Sequence, residues 1–283
     1  MNIYCEFENL SEFNKNKEKF LTKKHLKTLN TSISYVNIST KKQEKILNKS
    51  IGFYTTIHIK GYDYLTNSNF DFVYNLLTKE IINLIKKTNI KKDLSMLKFF
   101  VVGLGNNEIT ADSLGYLVVN NILSTTKDIE NNNISSDNFG NVFTLSPSIA
   151  SKNGIYTYTI IKAICKELKP DIVILIDSLS CKNTSYIGKT FQINTCGLTP
   201  GCEVDNKQPK ICFNTLKIPV IAIGCPVVIN LSSITKTSDF NPILTLKDID
   251  IAIKKYAEVI AFSLNSIIHK NLNKEEIIFL TKK

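Results

Sequence analysis

The sequence predicts an α/β fold in which helices flank both faces of a mostly parallel twisted sheet. Three largely apolar runs, Phe99–Val102, Asp171–Ile176 and Pro219–Ile223, have the composition of strands that are buried on both sides. Stretches with a helical spacing of apolar residues separate these runs. Because strands that alternate with helices pair in parallel beneath two helical layers, the pattern predicts this class. The length of 283 residues fits one domain, residues 1–283.

The N-terminal part is predicted to extend the same sheet. Residues 1–31 are polar and rich in Lys, whereas Ser32–Ser39 and Phe53–Ile59 are enriched in β-branched and aromatic residues. Such runs are typical of strands. We therefore expect residues 1–60 to be an N-terminal extension that adds strands to the core sheet.

The remaining elements follow from spacing and capping residues. Apolar residues at helical spacing predict a helix over Phe70–Lys87, and Thr110 is typical of the N-cap of the next helix. The Asn- and Ser-rich segment Asp128–Asn141 is expected to be a surface loop. The further predicted elements are a helix over Tyr158–Leu168, a strand over Thr190–Asn194 and a last long helix over Leu246–His269.

The charge and the hydropathy pattern exclude several partners. The chain has 35 basic and 25 acidic residues, a net charge of +10, and every basic residue is Lys. Since nucleic-acid sites favour the planar guanidinium of Arg, we expect no direct nucleic-acid partner. No apolar run approaches the roughly 20 residues that span a bilayer, and no signal peptide is visible. We therefore expect a cytoplasmic protein without a membrane partner.

The cysteines and histidines do not form a recognisable site. The seven cysteines contain no C-x-x-C pair, which indicates a reducing compartment. His25, His58 and His269 are far apart in sequence, and no H-E-x-x-H motif or Cys/His cluster occurs, so we expect no metal ion and no cofactor. Cys181 and Cys225 follow predicted strands and are alternative nucleophiles, although no motif places a His base beside them.

Two carboxylates are predicted at one edge of the sheet. Asp112 lies in the first turn of the helix after the strand at Phe99–Val102, and Asp177 closes the run Asp171–Ile176. Ligands of open α/β sheets bind beyond the carboxyl ends of the strands. Two carboxylates facing each other there can share a proton, so that one acts as a base toward water and the other as an acid. The structural alternatives are a helix-dipole contact for Asp112 and a turn cap for Asp177.

Several short, distinct motifs occur in a specific order along most of the chain. In chain order they are Ile51–Ile57, Val101–Asn106, Asp112–Gly115, Lys169–Leu179, Thr190–Gly201, Ile218–Gly224 and the final helix with Leu264, Asn265 and His269. Their order and spacing together resemble the germination proteases of spore-forming bacteria, a family of atypical aspartic endopeptidases.

The resemblance implies a fold, a substrate and an assembly. The implied fold is phosphorylase/hydrolase-like and related to hydrogenase maturation proteases, and the implied assembly is a homotetramer made as a zymogen. The implied substrates are the small acid-soluble proteins that coat spore DNA and are degraded in the spore core at germination. The two essential aspartates of the family fall on Asp112 and Asp177, the pair that the strand-end argument selects.

Two loops complete the predicted site. In the turn after the first core strand, the side chain of Asn106 and the backbone of Gly105 are the candidate oxyanion donors. This turn resembles a phosphate-binding loop, but it lacks the third Gly of G-x-G-x-x-G and a Walker Lys. A second tight loop ends at Gly201 and precedes Lys207, and both residues are expected to contact the substrate.

Two other functions stay open because the loops depart from the family pattern. Asn106-Asn107 stands where the family has Asn-Trp, and Thr199–Glu203 replaces a His-Pro-Gly-Ser-Gly loop. One alternative is therefore a catalytically weak relative with a binding or regulatory role in the spore. The other is a metal-dependent maturation protease of the hydrogenase type, in which the carboxylates hold a metal ion.

Overall fold

The structure, a computed structural model, describes residues 20–63, 66, 68–200, 208–230 and 243–281. The strands within these ranges are β1 Leu21–Leu26, β2 Thr31–Ile38, β3 Gly52–Ile59, β4 Lys98–Gly103, β5 Asn141–Leu145, β6 Ile172–Cys181, β7 Thr190–Asn194, β8 Val220–Asn230 and β9 Ile243–Thr245. The α-helices are α1 Lys41–Leu47, α2 Phe70–Lys86, α3 Leu114–Asn120, α4 Thr126–Glu130, α5 Ala150–Asn153, α6 Thr157–Leu168, α7 Phe213–Leu216, α8 Ile249–Ile268 and α9 Lys274–Thr281.

All the described strands belong to one mixed sheet. The order of the main path is β1-β2-β3-β7-β8-β6-β4-β5, and β9 pairs with β8. Strands β5, β4, β6 and β8 are parallel to their neighbours within this group. The pairs that join β1, β2, β3, β7 and β8, and the β8–β9 pair, are antiparallel. The predicted α/β class and the N-terminal addition to the sheet are confirmed, but the parallel part is limited to the four core strands.

The core strands bury both of their faces, as the unbroken apolar runs predict. Along β4, Phe99 and Val101 pack with residues of α2, α3 and α8 on one face of the sheet. Phe100 and Val102 alternate with them and pack against α6 on the opposite face, where Ile161 is fully buried. This period of two is the geometry of a strand between two helical layers.

Helix α3 lies directly on the carboxyl end of β4 because glycines remove the intervening side chains. A Cβ atom on Gly115 would lie 2.4 Å from the backbone N and O of Leu104. A Cβ atom on Gly103 would lie 2.1 Å from the carbonyl oxygen of Gly115. Real Cβ atoms do not approach backbone atoms so closely, so this contact needs glycine on both elements. It places the chain between β4 and α3 at the edge of the sheet.

Four parts of the chain differ from the secondary structure predicted from the sequence. Strand β1 differs from the prediction of a polar, Lys-rich N-terminal segment. Its exposed lysines lie on the edge strand of the sheet, where charged side chains are common. The expected loop Asp128–Asn141 overlaps α4 and ends where β5 begins. Helix α3 begins at Leu114, after a separate 3₁₀ turn over Thr110–Asp112, so Thr110 is not its N-cap. The last long helix, α8, begins at Ile249 and follows the short strand β9.

Within the described ranges, none of the helices combines the length and the apolar character that crossing a bilayer requires.

Candidate functional site

Asp112 is held at the edge of the sheet by the backbone around it. It ends the 3₁₀ turn Thr110–Asp112, which connects the end of β4 to α3 and contacts β6. The backbone N–H of Asn106 donates a hydrogen bond of 2.7 Å to Oδ2 of Asp112. The backbone N–H of Asp112 donates in turn to the carbonyl oxygen of Ile109, at 2.8 Å. The carboxylate therefore caps the turn that carries it and has a defined direction.

Gly105 makes this position of Asp112 possible. Its φ of +97° lies in the region that favours glycine, and an added Cβ would lie 2.1 Å from the carbonyl oxygen of Asp112. The same atom would lie 2.8 Å from Oδ1 of the Asp112 side chain. Gly105 therefore has a steric role beside the carboxylate.

Asp177 lies on β6 at the level where β4 stops. The pairing of β4 with β6 ends at Gly103 and Ile176, and the N–H of Leu104 still donates to Ile176 O at 2.8 Å. The expectation that Asp177 closes its strand is wrong, since β6 continues to Cys181 beside β8. The physical reason is that β8 also continues and keeps the backbone of β6 hydrogen-bonded. The buried Asp177 is thus at the carboxyl edge of β4 but inside β6.

The side chain of Asp177 follows the alternation of β6 onto the face covered by α6. Val173 and Leu175, four and two residues before it, belong to the apolar cluster on that face. Leu198 and Ile211 belong to the same cluster and form an antiparallel bridge with each other. This bridge joins the described residues on either side of the segment in which Gly201 and Lys207 occur.

Gly201 and Lys207 themselves lie outside the described residues. On the C-terminal side of that gap, Oε1 of Gln208 accepts a hydrogen bond of 3.3 Å from the N–H of Tyr158 in the first turn of α6. Helix α6 precedes β6, so its first turn lies toward the carboxyl edge of the parallel strands. Gln208 is therefore held at the carboxyl edge of the parallel strands, the edge at which Asp112 and Asp177 lie.

Asn106 is buried, and its side-chain amide carries one acceptor atom, Oδ1, and one donor atom, Nδ2. Its Oδ1 accepts a hydrogen bond of 3.1 Å from the N–H of Glu108, which closes a short turn. Its Nδ2 is the donor atom of the same amide group. An amide donor beside a carboxylate can bind a carbonyl oxygen of a ligand.

The loop after β4 is also tied to the segment after β5, which the sequence did not reveal. Glu108 forms an ion pair with Lys152 of α5. These residues are far apart along the chain and carry no motif. Only the pairing of β4 with β5 brings their loops together.

The three histidines and the candidate nucleophiles Cys181 and Cys225 are not placed for nucleophilic catalysis. His25 is exposed on β1, Nδ1 of the buried His58 lies 3.0 Å from Oγ1 of Thr190, and His269 is fully buried. Burial lowers the pKa of His58, and the Lys60 and Lys189 charges lower it further. Cys181 and Cys225 are both fully buried, and burial raises the pKa of the Cys225 thiol.

Within the described ranges, no three His, Cys, Asp or Glu side chains lie close enough together to share a metal ion.

Comparison with known proteins identifies close relatives in sequence. Residues 2–241 match the family model for germination protease. The germination protease of Oceanobacillus iheyensis is 34% identical over 230 residues, which cover 81% of this chain and 61% of that protein. The germination protease of Priestia megaterium is 38% identical over 210 residues, which cover 74% of this chain and 56% of that protein. The aligned region thus spans less than two thirds of these relatives.

Among solved structures, the chain is similar to a NiFe hydrogenase maturation protease, HycI, from Thermococcus kodakarensis KOD1. The TM-score is 0.34 at 18% sequence identity, and the alignment covers 61% of this chain and 92% of that chain.

Proposed function

Because the chain belongs to the germination protease family, we propose that it is an endopeptidase in which Asp112 and Asp177 activate one water molecule. The observation that supports this proposal is the meeting of two chain segments at one edge of the sheet. The turn that ends at Asp112 contacts β6, and Asp177 is the first residue of β6 beyond the end of β4. A peptide bond is hydrolysed by such a pair when one carboxyl group removes a proton and the other supplies one.

The two carboxyl groups differ in their surroundings, and we assign their roles on that basis. Asp112 is partly exposed and accepts a hydrogen bond from the N–H of Asn106, which favours its ionised form. Asp177 is buried, and burial by itself disfavours the charged form of a carboxyl group. In the proposed reaction, Asp112 takes a proton from water, the water oxygen attacks the carbonyl carbon, and Asp177 protonates the leaving nitrogen.

The remaining predicted site residues would bind the substrate. The Nδ2 of Asn106 and the backbone near Gly105 are the proposed donors to the oxyanion. Gly201 and Lys207 are proposed to contact the peptide from the segment whose described flanks are joined by the bridge between Leu198 and Ile211.

The substrate and the assembly belong to the same proposal. We expect the substrates to be small acid-soluble spore proteins, cleaved in the spore core, and the enzyme to be a homotetramer. Sedimentation of the purified chain tests the assembly independently of activity.

The direct test is replacement of each carboxyl group by an amide of equal size. Asp112→Asn and Asp177→Asn are each expected to lower the turnover of a purified small acid-soluble spore protein by about 10³-fold or more, because an amide neither takes nor gives the proton. Gel electrophoresis and mass spectrometry of the digest measure this loss. Asp137→Asn, an exposed residue in the segment before β5, is the matched control and should retain full turnover.

The same assay distinguishes the alternatives. Wild-type turnover in both Asn variants would refute the aspartic mechanism. Binding of the spore protein without cleavage would favour the catalytically weak relative. Activity that is lost on chelation and restored by a stoichiometric metal ion would favour the metal-dependent protease.

A further inference from the structure

Asn153 and Gly154 form the one Asn-Gly dipeptide of the sequence. Both residues are exposed, and they lie at the end of the short helix α5, after β5. Gly154 has a φ of +70°, and nothing lies within 4 Å of a Cβ atom added to it. The chain at this point is therefore open to solvent and has the backbone freedom of glycine.

Two hydrogen bonds hold the Asn153 side chain beside the backbone of Gly154. Nδ2 donates to the carbonyl oxygen of Pro147 at 2.9 Å, and Oδ1 accepts from the N–H of Ile155 at 3.0 Å. The N–H of Ile155 is thus placed to stabilise negative charge that develops on Oδ1 when a nucleophile attacks Cγ. The nearest backbone nucleophile is the nitrogen of Gly154, the next residue along the chain.

One backbone hydrogen bond opposes such an attack. The N–H of Gly154 donates to the carbonyl oxygen of Ala150 at 2.9 Å, so this bond must open before the nitrogen can react. Helix α5 has only four residues, and isolated helices of this length are marginal in water. Opening of its last turn is therefore a local event that does not require unfolding of the domain.

We propose that Asn153 is a site of spontaneous deamidation whose products loosen the segment after β5. The backbone nitrogen of Gly154 attacks Cγ of Asn153, and the new N–Cγ bond closes a succinimide ring. Nδ2 leaves as ammonia and takes up the proton of the Gly154 N–H. One water molecule then opens the ring, at Cγ to give Asp or at the backbone carbonyl carbon to give isoaspartate. No atom is oxidised or reduced.

Both products lose the hydrogen bond that ties Asn153 to Pro147. An ionised carboxylate only accepts hydrogen bonds, so it cannot donate to a carbonyl oxygen. It also adds a negative charge next to Lys152, whose ammonium group pairs with Glu108 in the loop after β4. The segment after β5 therefore becomes less ordered, and the loop after β4 loses part of its support.

Peptide mapping by mass spectrometry tests the modification directly. Wild-type protein is incubated at mildly alkaline pH and then cleaved at lysine, which yields the peptides 128–152 and 153–162. The peptide 153–162 should gain the mass difference between an amide and a carboxyl group, and incubation in heavy-oxygen water should label it. The peptide 128–152 has five asparagines but no Asn-Gly, so it is the internal control and should stay unmodified. A sample digested before incubation gives the background.

Two variants of the dipeptide test the mechanism. Gly154→Ala should slow the deamidation by about 10-fold or more, because a side chain obstructs the attack by the backbone nitrogen. Asn153→Gln should stay unmodified, since an extra methylene moves the amide carbon away from that nitrogen. Equal rates in the wild type and Gly154→Ala, or a wild-type peptide 153–162 that deamidates no faster than 128–152, would overturn the proposal.

Hydrogen exchange measures the structural consequence without an assay of cleavage, so its outcome is independent of the proposed function. Asn153→Asp has the charge of one product, and the backbone N–H groups of residues 147–156 should exchange about fivefold faster in it, because one hydrogen bond is lost. Asn138→Asp adds the same charge at an exposed position before β5 and should exchange like the wild type. If both variants exchange like the wild type, the inferred loosening is wrong.

Discussion

A carboxylate can be placed at the edge of a sheet only if the adjoining backbone leaves room for it. Gly105 provides that room beside Asp112, with a positive φ and no Cβ atom. The sequence predicted Gly105 as a backbone donor in a turn. The structure adds a steric role, because an added Cβ would contact the main chain and the side chain of Asp112.

We expect Gly105→Ala to impair both folding and activity. A Cβ atom 2.1 Å from the carbonyl oxygen of Asp112 forces the turn to move, in addition to the strain of a positive φ, which costs about 1–3 kcal/mol. Peptide hydrolysis should fall at least 10-fold, and urea denaturation should show a lower free energy of unfolding.

Gly154→Ala is the matched control for backbone strain. Gly154 also has a positive φ, +70°, but nothing lies within 4 Å of an added Cβ. This variant should lose only about 1 kcal/mol of stability and keep its activity. Equal losses in the two variants would show that strain alone, and not the contact with Asp112, explains the effect at Gly105.

At the scale of elements, the C-terminal end of α8 holds the connection between α3 and α4. Asn265 accepts a hydrogen bond from the N–H of Leu123 at 3.0 Å and donates one to Asn121 O at 2.8 Å. Nε2 of His269 lies 3.0 Å from Leu123 O, and because a carbonyl only accepts, this nitrogen carries the hydrogen. Nδ1 of His269 has no hydrogen-bond partner among the described residues. The imidazole is therefore buried in its neutral form.

The buried His269 predicts a loss of stability in mild acid. Burial lowers its pKa to about 4, and the hydrogen bond to Leu123 offsets part of that effect. In the unfolded chain the ordinary value is about 6.5. Between these values the unfolded chain binds a proton that the folded chain excludes. The free energy of unfolding should therefore fall by about 3 kcal/mol as the pH decreases from 6.5 to 4.

Urea denaturation of His269→Gln across this pH range isolates the contribution of His269. The Gln side chain keeps a donor for Leu123 O but does not titrate, so its stability should depend less on pH than that of the wild type. His25→Gln, at an exposed position on β1, should follow the wild-type curve. A pH dependence in His269→Gln as steep as that of the wild type would contradict the argument.

The spacing of apolar residues along the sequence predicted some of the strands and helices and missed others. The buried strands β4 and β8 and the long helices α2 and α8 were predicted from apolar spacing, since each packs on a large apolar surface. Strand β1 was missed because a strand at the edge of a sheet is solvated and carries lysines there. The continuation of β6 beyond Asp177 was missed because its partner, not its own composition, completes its hydrogen bonds.

Across the whole molecule, the N-terminal strands and the parallel core share one apolar interior. Ile57 of β3 and Ile174 of β6 belong to the same buried cluster beneath α2 and α8. Strand β7 is paired with β3 on one side and with β8 on the other. If residues 1–283 form one domain, as we expect, the N-terminal strands and the parallel core should unfold together in one cooperative transition.

We expect a single unfolding transition in urea. Ile57→Ala and Ile174→Ala should each lower the free energy of unfolding by about 2–5 kcal/mol and shift the same transition, because both leave a cavity in one core. Far-UV circular dichroism and tyrosine fluorescence, the latter from 11 tyrosines and no tryptophan, should report coincident curves. Two resolved transitions, with Ile57→Ala shifting only one of them, would show that the N-terminal strands unfold separately.

The sequence alone determined the fold class and the apolar core strands, because burial between two helical layers imposes a local apolar pattern that can be read along the chain. The assignment of Asp112 and Asp177 as the site carboxylates stays a prediction. The tertiary structure alone decided the antiparallel half of the sheet, the direction of Asp177 and the ion pair between Glu108 and Lys152. These features depend on contacts between segments that are distant in sequence, and a local pattern of residue types carries no record of which segments become neighbours.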